Sequence, residues 1–225
     1  MSEPAATKGR VLIIAGSDSG GGAGIQADIK AVTMLGGYAM TAITAVTAQD
    51  TPGVHGVWPV AIEAVTAQMY SCLTDIGADT IKTGMLGTAH LVEQVAETLD
   101  AEAKDIPAVI APVMIATSGD RLVDETAMSA LSSLLIPGAA LLTPNAPEAE
   151  LLPGKSVDGL TGQRRAADAL LERGAKAALV KGGLIPGKTI HDVLQPQHGE
   201  WIFESPRIDT RSTHGTGCTL ASATA

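Results

Sequence analysis

Two glycine-rich stretches lie near opposite ends of the chain, and both have the composition of loops that fold over a small polar ligand. The first is Gly16-Ser17-Asp18-Ser19-Gly20-Gly21-Gly22-Ala23-Gly24, after an apolar run and before a helical pattern. The second is Thr213-His214-Gly215-Thr216-Gly217-Cys218, which opens an apolar helix. Successive backbone N–H groups at a helix N-terminus form an anion site, and glycines let a phosphate approach closely. Cys218 stands in that first turn, where the helix dipole favours a thiolate. A Gly-Thr-Gly-Cys string alone has a high false-positive rate. Two glycine loops facing each other across a cleft, one for an acceptor and one for a transferred phosphate, are more specific. Asn145-Ala146-Pro147-Glu148 and Lys181-Gly182-Gly183 each follow a predicted strand. A carboxylate at Glu148 beside transferring phosphates would hold Mg²⁺, usually through water, and a first-turn helix acid is an equal reading. Lys181 would neutralise phosphate charge, with a solvated strand end as the equal alternative.

A dinucleotide site competes for the first loop. Gly22-Ala23-Gly24-Ile25-Gln26-Ala27 satisfies G-x-G-x-x-G/A, and Asp50 stands near the place of the ribose-binding acid. The turn between strand and glycines is too long for that site, however, and it carries Asp18, unwelcome beside a pyrophosphate. No Walker A string is present, and no His/Cys cluster has metal-ligand spacing. His214 reads as local scaffold, and Cys72 as core.

The elements that must hold these loops alternate between strand and helix. Predicted strands are Val11–Ala15, Met40–Val46, Thr80–Lys82, Ala108–Ile115, Ala140–Leu142 and Ala177–Val180. Predicted helices are Ile25–Leu35, Ala61–Leu73, Ala89–Leu99, Glu125–Leu135 and Arg164–Arg173. Ile190–Leu194 and Trp201–Phe203 read as an antiparallel hairpin. Buried apolar strands separated by amphipathic helices imply a mostly parallel α/β sheet covered on both faces. Ligands then sit beyond the carboxyl ends of the strands, so the loops after Ala15, Val46, Lys82, Ile115, Leu142 and Val180 should carry the chemistry.

Composition narrows the function classes. The 225 residues suit one large domain, and 45% apolar content is ample for a core. Aromatics are only 2%, so that core is built from Ala, Val, Leu, Ile and Met. A net charge of −9, with no basic patch carrying stacking aromatics, argues against nucleic acid. No apolar run approaches the roughly 20 residues of a membrane span, and Met1–Arg10 lacks a signal-peptide core. Two cysteines make no disulfide framework, so a cytoplasmic enzyme is expected.

In order along the chain, several blocks resemble the hydroxymethylpyrimidine/phosphomethylpyrimidine kinases of thiamine biosynthesis, a branch of the ribokinase-like superfamily. They are Ala15–Asp28, Thr44–Thr51, Lys82-Thr83-Gly84-Met85-Leu86, Pro112-Val113-Met114, Ser118-Gly119-Asp120, Thr143-Pro144-Asn145 with Pro147-Glu148, Lys181-Gly182-Gly183 and His214–Thr219. The resemblance implies a three-layer sandwich and an ATP- and Mg²⁺-dependent kinase. It would phosphorylate the hydroxymethyl group and then the resulting monophosphate, as a homodimer. Carried across by motif, Gln49 would hydrogen-bond the aminopyrimidine. Gly16, Ala23 and Asp28 would line the same pocket, and Met85 would pack on the ring. Lys181, Asn145 and Glu148 would serve nucleotide and metal, Gly215, Thr216 and Gly217 would form the anion hole, and Cys218 would stand where related enzymes place an aspartate base.

There are two departures from the family pattern. Ala111 replaces the usual aspartate before Pro-Val-Met, and residues 1–225 form a single kinase domain expected to lack its last helices. A pyridoxal kinase-like activity and a non-catalytic pyrimidine-binding paralogue are the alternatives.

Overall fold

The first strand decides the architecture. In the computed structural model, which describes residues 9–114, 123–152, 154–210 and 212–225, β1 (Arg10–Asp18) is buried on both faces from Val11 to Gly16. Leu12 and Ile14 join the large core on one side of the sheet, while Val11, Ile13 and Ala15 pack with Ile25 and Val32 on the other. A strand covered on both sides belongs in the middle of a parallel sheet flanked by helices.

The remaining elements follow in chain order: α1 (Gly24–Met34), β2 (Tyr38–Gln49), β3 (Val54–Pro59), α2 (Ile62–Ser71), β4 (Thr80–Thr83), α3 (Ala89–Glu102), β5 (Ala108–Ile110), α4 (Glu125–Ala130), β6 (Leu141–Leu142), α5 (Ala146–Leu151), α6 (Leu160–Glu172), β7 (Ala177–Val180), β8 (Thr189–Pro196), β9 (Trp201–Pro206) and α7 (Thr216–Ala223). The sheet has nine strands in the order β3-β2-β1-β4-β5-β6-β7-β8-β9. The six central strands, β2 to β7 in that order, run parallel, while β3 pairs antiparallel with β2, and β8 and β9 form an antiparallel hairpin at the far edge. α1 and α7 pack together over one face. The other face carries α2, α3, α4 and α6 over the main core.

Four local readings differ from the sequence pattern. β3 is an unexpected strand; its side chains are mostly exposed, so no burial period marks it, and β2 extends to Gln49 because β3 pairs with it there. The strand expected over Ala108–Ile115 ends at Ile110, with Pro112 soon after, and Ile115 lies outside the described residues, as does Ser118-Gly119-Asp120. α5, not expected as an element, begins at Asn145 with a capping box. Two expected helices, Ala61–Leu73 and Glu125–Leu135, finish in wide π turns at Cys72–Ile76 and Leu131–Leu135.

Candidate active site

The strand order reverses direction at β1: the chain steps to β2 on one side and returns to β4 on the other. The crevice outside the carboxyl ends of β1 and β4 is therefore where a ligand belongs. Gly84 and Met85 leave β4 at that point, and Gly16 sits just across from them. A Cβ on Gly16 would lie 2.8 Å from the Met85 Cε. Thr44 holds the turn by donating its hydroxyl to the Met85 carbonyl at 2.7 Å. At the end of β2, Gln49 is clasped by Ser19, whose Oγ donates to the Gln49 carbonyl and accepts from its N–H, both at 2.8 Å. The Gln49 Oε1 accepts from Thr47 at 3.2 Å, and its amide nitrogen has no partner among the described residues. Gly16 and Met85 thus meet at the ends of β1 and β4, Gln49 lies at the end of β2 against Ser19 of the same glycine loop, and Ala23 is the N-cap of α1.

The first glycine loop is folded around Asp18, which sequence reading placed as an obstacle to phosphate. The carboxylate turns inward. It accepts the N–H groups of Gly20, Gly22 and Ala23 at 2.8, 3.1 and 2.7 Å. Burial pushes this carboxyl up, but hydrogen bonds from His214, Ala23 and Gly20 outweigh it and hold it below the usual range. Gln26 fixes the loop's root, accepting from Asp18 N–H at 2.9 Å and donating to Ser17 Oγ at 2.7 Å. The dinucleotide reading fails on Asp50 as well, since that acid pairs with His55 at 2.8 Å and closes the β2–β3 turn.

The second loop meets the first directly. Gly215 is the N-cap of α7 with φ +78°, and a Cβ there would fall 1.7 Å from the Gly22 carbonyl oxygen, so only glycine fits. Gly217 lies over the β7 end, where its Cβ would be 3.3 Å from Lys181 Nζ. Burial draws the Lys181 amine down, against the opposing charges of Glu148 and Cys218. Asn145 bridges to Lys181 in parallel register, and the Asn145 side chain caps α5 by accepting from Glu148 N–H at 2.9 Å. In return, Glu148 accepts from Asn145 N–H at 2.8 Å. Burial pushes the Glu148 carboxyl up, opposed by Lys181. The residues expected to serve acceptor, phosphoryl group and nucleotide therefore form one continuous strip from Gln49 to Glu148.

Asp28 corrects the sequence reading. Expected in the pocket wall, it is fully enclosed and paired at 2.8 Å with Lys82, itself fully enclosed. Ser222 of α7 donates to the other carboxylate oxygen at 2.7 Å. Burial pushes the Asp28 carboxyl up, and Lys82 pulls it back. The trio ties β4, α1 and α7 together beneath both glycine loops. Ala111 sits on the same face, 3% exposed, packed with Val109 and with Ala221 of α7.

Sequence reasoning also missed the bracing of the loop after β7. Arg207 donates to the carbonyls of Gly187 and Gly183 at 2.7 and 2.8 Å and to that of Ile185. Asp192 accepts from Gly182 N–H at 2.7 Å, and buried Gln163 spans the Val180 and His191 carbonyls. A buried Gln in α6 and a lone Lys closing a buried strand were the available signals, because each demands a partner.

A nine-stranded, mostly parallel sheet between helix layers, with two glycine loops in contact beyond the strand ends, and the likeness to solved kinases of this fold place the chain among small-molecule kinases of the ribokinase-like class. Within that class the chain belongs to the phosphomethylpyrimidine kinase family, whose profile matches residues 18–225. It is 49% identical over 222 residues to a hydroxymethylpyrimidine/phosphomethylpyrimidine kinase of Streptomyces coelicolor, spanning 99% of this chain and 81% of that protein. Among solved structures it is similar to the phosphomethylpyrimidine kinase of Clostridium difficile, with 36% identity, a TM-score of 0.83, and coverage of 95% of this chain and 87% of that one. It is also similar to the Staphylococcus aureus pyridoxal kinase in complex with AMP-PCP and pyridoxal, at 32% identity and TM-score 0.87, covering 96% and 78%.

Proposed function

We propose that the chain transfers the γ-phosphoryl group of ATP to the hydroxymethyl oxygen of 4-amino-5-hydroxymethyl-2-methylpyrimidine, and then phosphorylates the monophosphate so formed. The observation that carries this reading is the contact between Gly22 and Gly215, which sets the acceptor loop against the anion loop. The Gln49 side-chain amide offers a donor and an acceptor to the aminopyrimidine edge, and Met85 covers the ring. In the first transfer the hydroxymethyl oxygen attacks the γ-phosphorus, the bond to the ADP oxygen breaks, and the hydroxyl proton passes to the Cys218 Sγ acting as base. The amides of Gly215 to Gly217 and the Lys181 ammonium face the charge that develops on the transferring group.

Magnesium fits as an ion that arrives with the nucleotide. Mg²⁺ commonly takes one or two carboxylates plus substrate phosphates and keeps several waters. Glu148 offers one such carboxylate, and the described residues contain no cluster of three or more His, Cys, Asp or Glu suited to a protein cage. When bound, the ion would neutralise the phosphate oxygens; Glu148 would hold it, and Asn145 keeps Glu148 in place.

The expected homodimer belongs to this proposal. Val46 and Trp58, cross-strand partners on β2 and β3, are 48% and 60% exposed and support an apolar contact there. So does a cytoplasmic setting, where the free thiols of Cys72 and Cys218 stay reduced. Among the described residues no helix is long and apolar enough to cross a membrane. A second acceptor, pyridoxal, is favoured by the likeness to pyridoxal kinases, including 36% identity and a TM-score of 0.87 with that of Bacillus subtilis. A coupled ADP-release assay with ATP–Mg²⁺ and each acceptor in turn tests both readings. Turnover of hydroxymethylpyrimidine and its monophosphate supports the proposal, and turnover of pyridoxal alone overturns it.

A further inference from the structure

His214 and Asp18 lie 196 positions apart, yet His214 Nε2 donates to Asp18 Oδ2 at 2.8 Å. Their side chains are 17% and 2% exposed, so the bond is largely shielded from water. The same carboxylate oxygen also accepts from Gly22 and Ala23, and the other accepts from Gly20, so Asp18 is the knot on which the whole acceptor loop is tied. The imidazole is also packed against that loop: a Cβ on Gly22 would lie 2.5 Å from His214 Cδ2. One residue further on, Gly215 closes on the Gly22 carbonyl and starts α7. Nothing else described joins the two loops by side-chain hydrogen bonds, since Asp18 spends its remaining contacts within its own loop and Thr216 returns to Thr213 at 3.0 Å.

We infer that His214 is a positioning residue for phosphoryl transfer: through Asp18 it fixes the anion-hole loop against the acceptor loop and so sets the separation between the attacking oxygen and the Gly215–Gly217 amides. This rests on the reading of the site given above. Among the described residues the His214 side chain hydrogen-bonds Asp18 alone, at the end of β1, and makes no hydrogen bond to Lys181 or Glu148. Its action therefore passes through Asp18 and the loop geometry alone. Misplacement of a reacting group by about 1 Å costs on the order of 10²-fold in rate. The bond needs a donor at the Nε2 position, which a glutamine amide supplies and a leucine of similar bulk does not.

The experiment compares His214→Leu and His214→Gln with the wild type. Steady-state kinetics are measured with hydroxymethylpyrimidine and ATP–Mg²⁺, alongside hydrogen–deuterium exchange of the 17–24 segment and thermal unfolding. His214→Leu should lower kcat by about 10- to 100-fold, leave KM for ATP within about twofold, and speed amide exchange at Gly20, Gly22 and Ala23. His214→Gln should recover most of the rate and the protection. Wild-type kcat in His214→Leu overturns the inference, as does equal loss in both variants or a loss confined to KM for ATP. If His214→Leu does not fold, the wild type alone decides. A slowly exchanging imidazole Nε2–H in its NMR spectrum supports the bond, and a freely exchanging one refutes it. Exchange and NMR do not depend on turnover, so an inactive wild type would count against the functional reading while still testing the His214–Asp18 tie.

Discussion

Replacing Asp28 with alanine strands the Lys82 ammonium in the core. Both side chains are fully enclosed, their charges meet at 2.8 Å, and Ser222 loses its acceptor in the same step. Removing one partner of a buried ion pair costs about 3–5 kcal/mol, because the surviving charge has neither water nor counter-ion. That is a large share of a domain's roughly 5–15 kcal/mol. For a chain of this size each kcal/mol moves Tm by about 2–4 °C, so Asp28→Ala should melt roughly 6–20 °C lower. The pair spans α1, β4 and α7, so the damage should be cooperative and register as a lower urea midpoint with an unchanged slope. The double replacement Asp28→Leu with Lys82→Met removes both charges and keeps the volume. Such swaps are often neutral or stabilising, so the double variant should regain most of the lost stability. An Asp28→Ala protein that melts like the wild type while binding the pyrimidine poorly would refute this reasoning and return Asp28 to the ligand pocket.

Three further outcomes are expected. Gln49→Ala leaves buried polar groups of the pyrimidine unpaired, about 1–3 kcal/mol, so calorimetry should show roughly 5- to 150-fold weaker pyrimidine binding and unchanged nucleotide binding; equal loss of both would make Gln49 structural. Cys218→Ala should slow phosphorylation of the alcohol by about 10²–10⁴-fold and that of the monophosphate far less, because a phosphate monoester has a second pKa of about 6 and is already ionised; equal slowing, measured from each acceptor separately, would leave Cys218 only a shaping role. Arg10 holds the Asp79 carboxyl down to about 2 from an ordinary 3.8, so the stability it lends is present above pH 3.8 and lost as pH falls through about 2; urea midpoints of wild type and Asp79→Asn should differ at pH 5 and converge below pH 2, and a gap independent of pH would contradict the pairing.

The fold was legible wherever burial leaves a local period. The apolar run Val11–Ala15 announces a strand buried on both faces, and β1 is that strand. Alternation of such runs with amphipathic stretches gives the parallel sheet, and the hairpin of β8 and β9 follows from its change of rhythm. β3 was illegible because it exists through pairing with β2: most of its side chains, including Val57 and Trp58, face solvent. α1 was half legible. Ile25 and Val32 are buried as the helical period requires, but Ile29 and Leu35, which stand at the same period, are 38% and 52% exposed. The buried stripe runs through Asp28 instead, and a charge enters such a stripe only when a partner from elsewhere in the chain meets it. Lys82 is 54 positions away.

The same limit separates the site's parts from its assembly. Glycine loops, a helix start and acids and lysines after strands are local features, so Lys181, Asn145, Glu148 and Gly215 could be picked out one by one, whereas Gln49 and Met85 came only with the family resemblance. Their arrangement depends on pairs that no window of sequence contains, such as Asp18 with His214 or Gly22 with Gly215. Asp18 shows the consequence most clearly. Read alone, an aspartate among glycines repels phosphate and argues against an anion-binding loop. Once folded, its charge is committed to three backbone amides and an imidazole, and a residue that looked hostile to a phosphate becomes the anchor of the glycine loop. The sign of a charge near a site therefore says little until its hydrogen bonds are counted; a carboxylate whose lone pairs are already taken acts on the ligand through the backbone it holds.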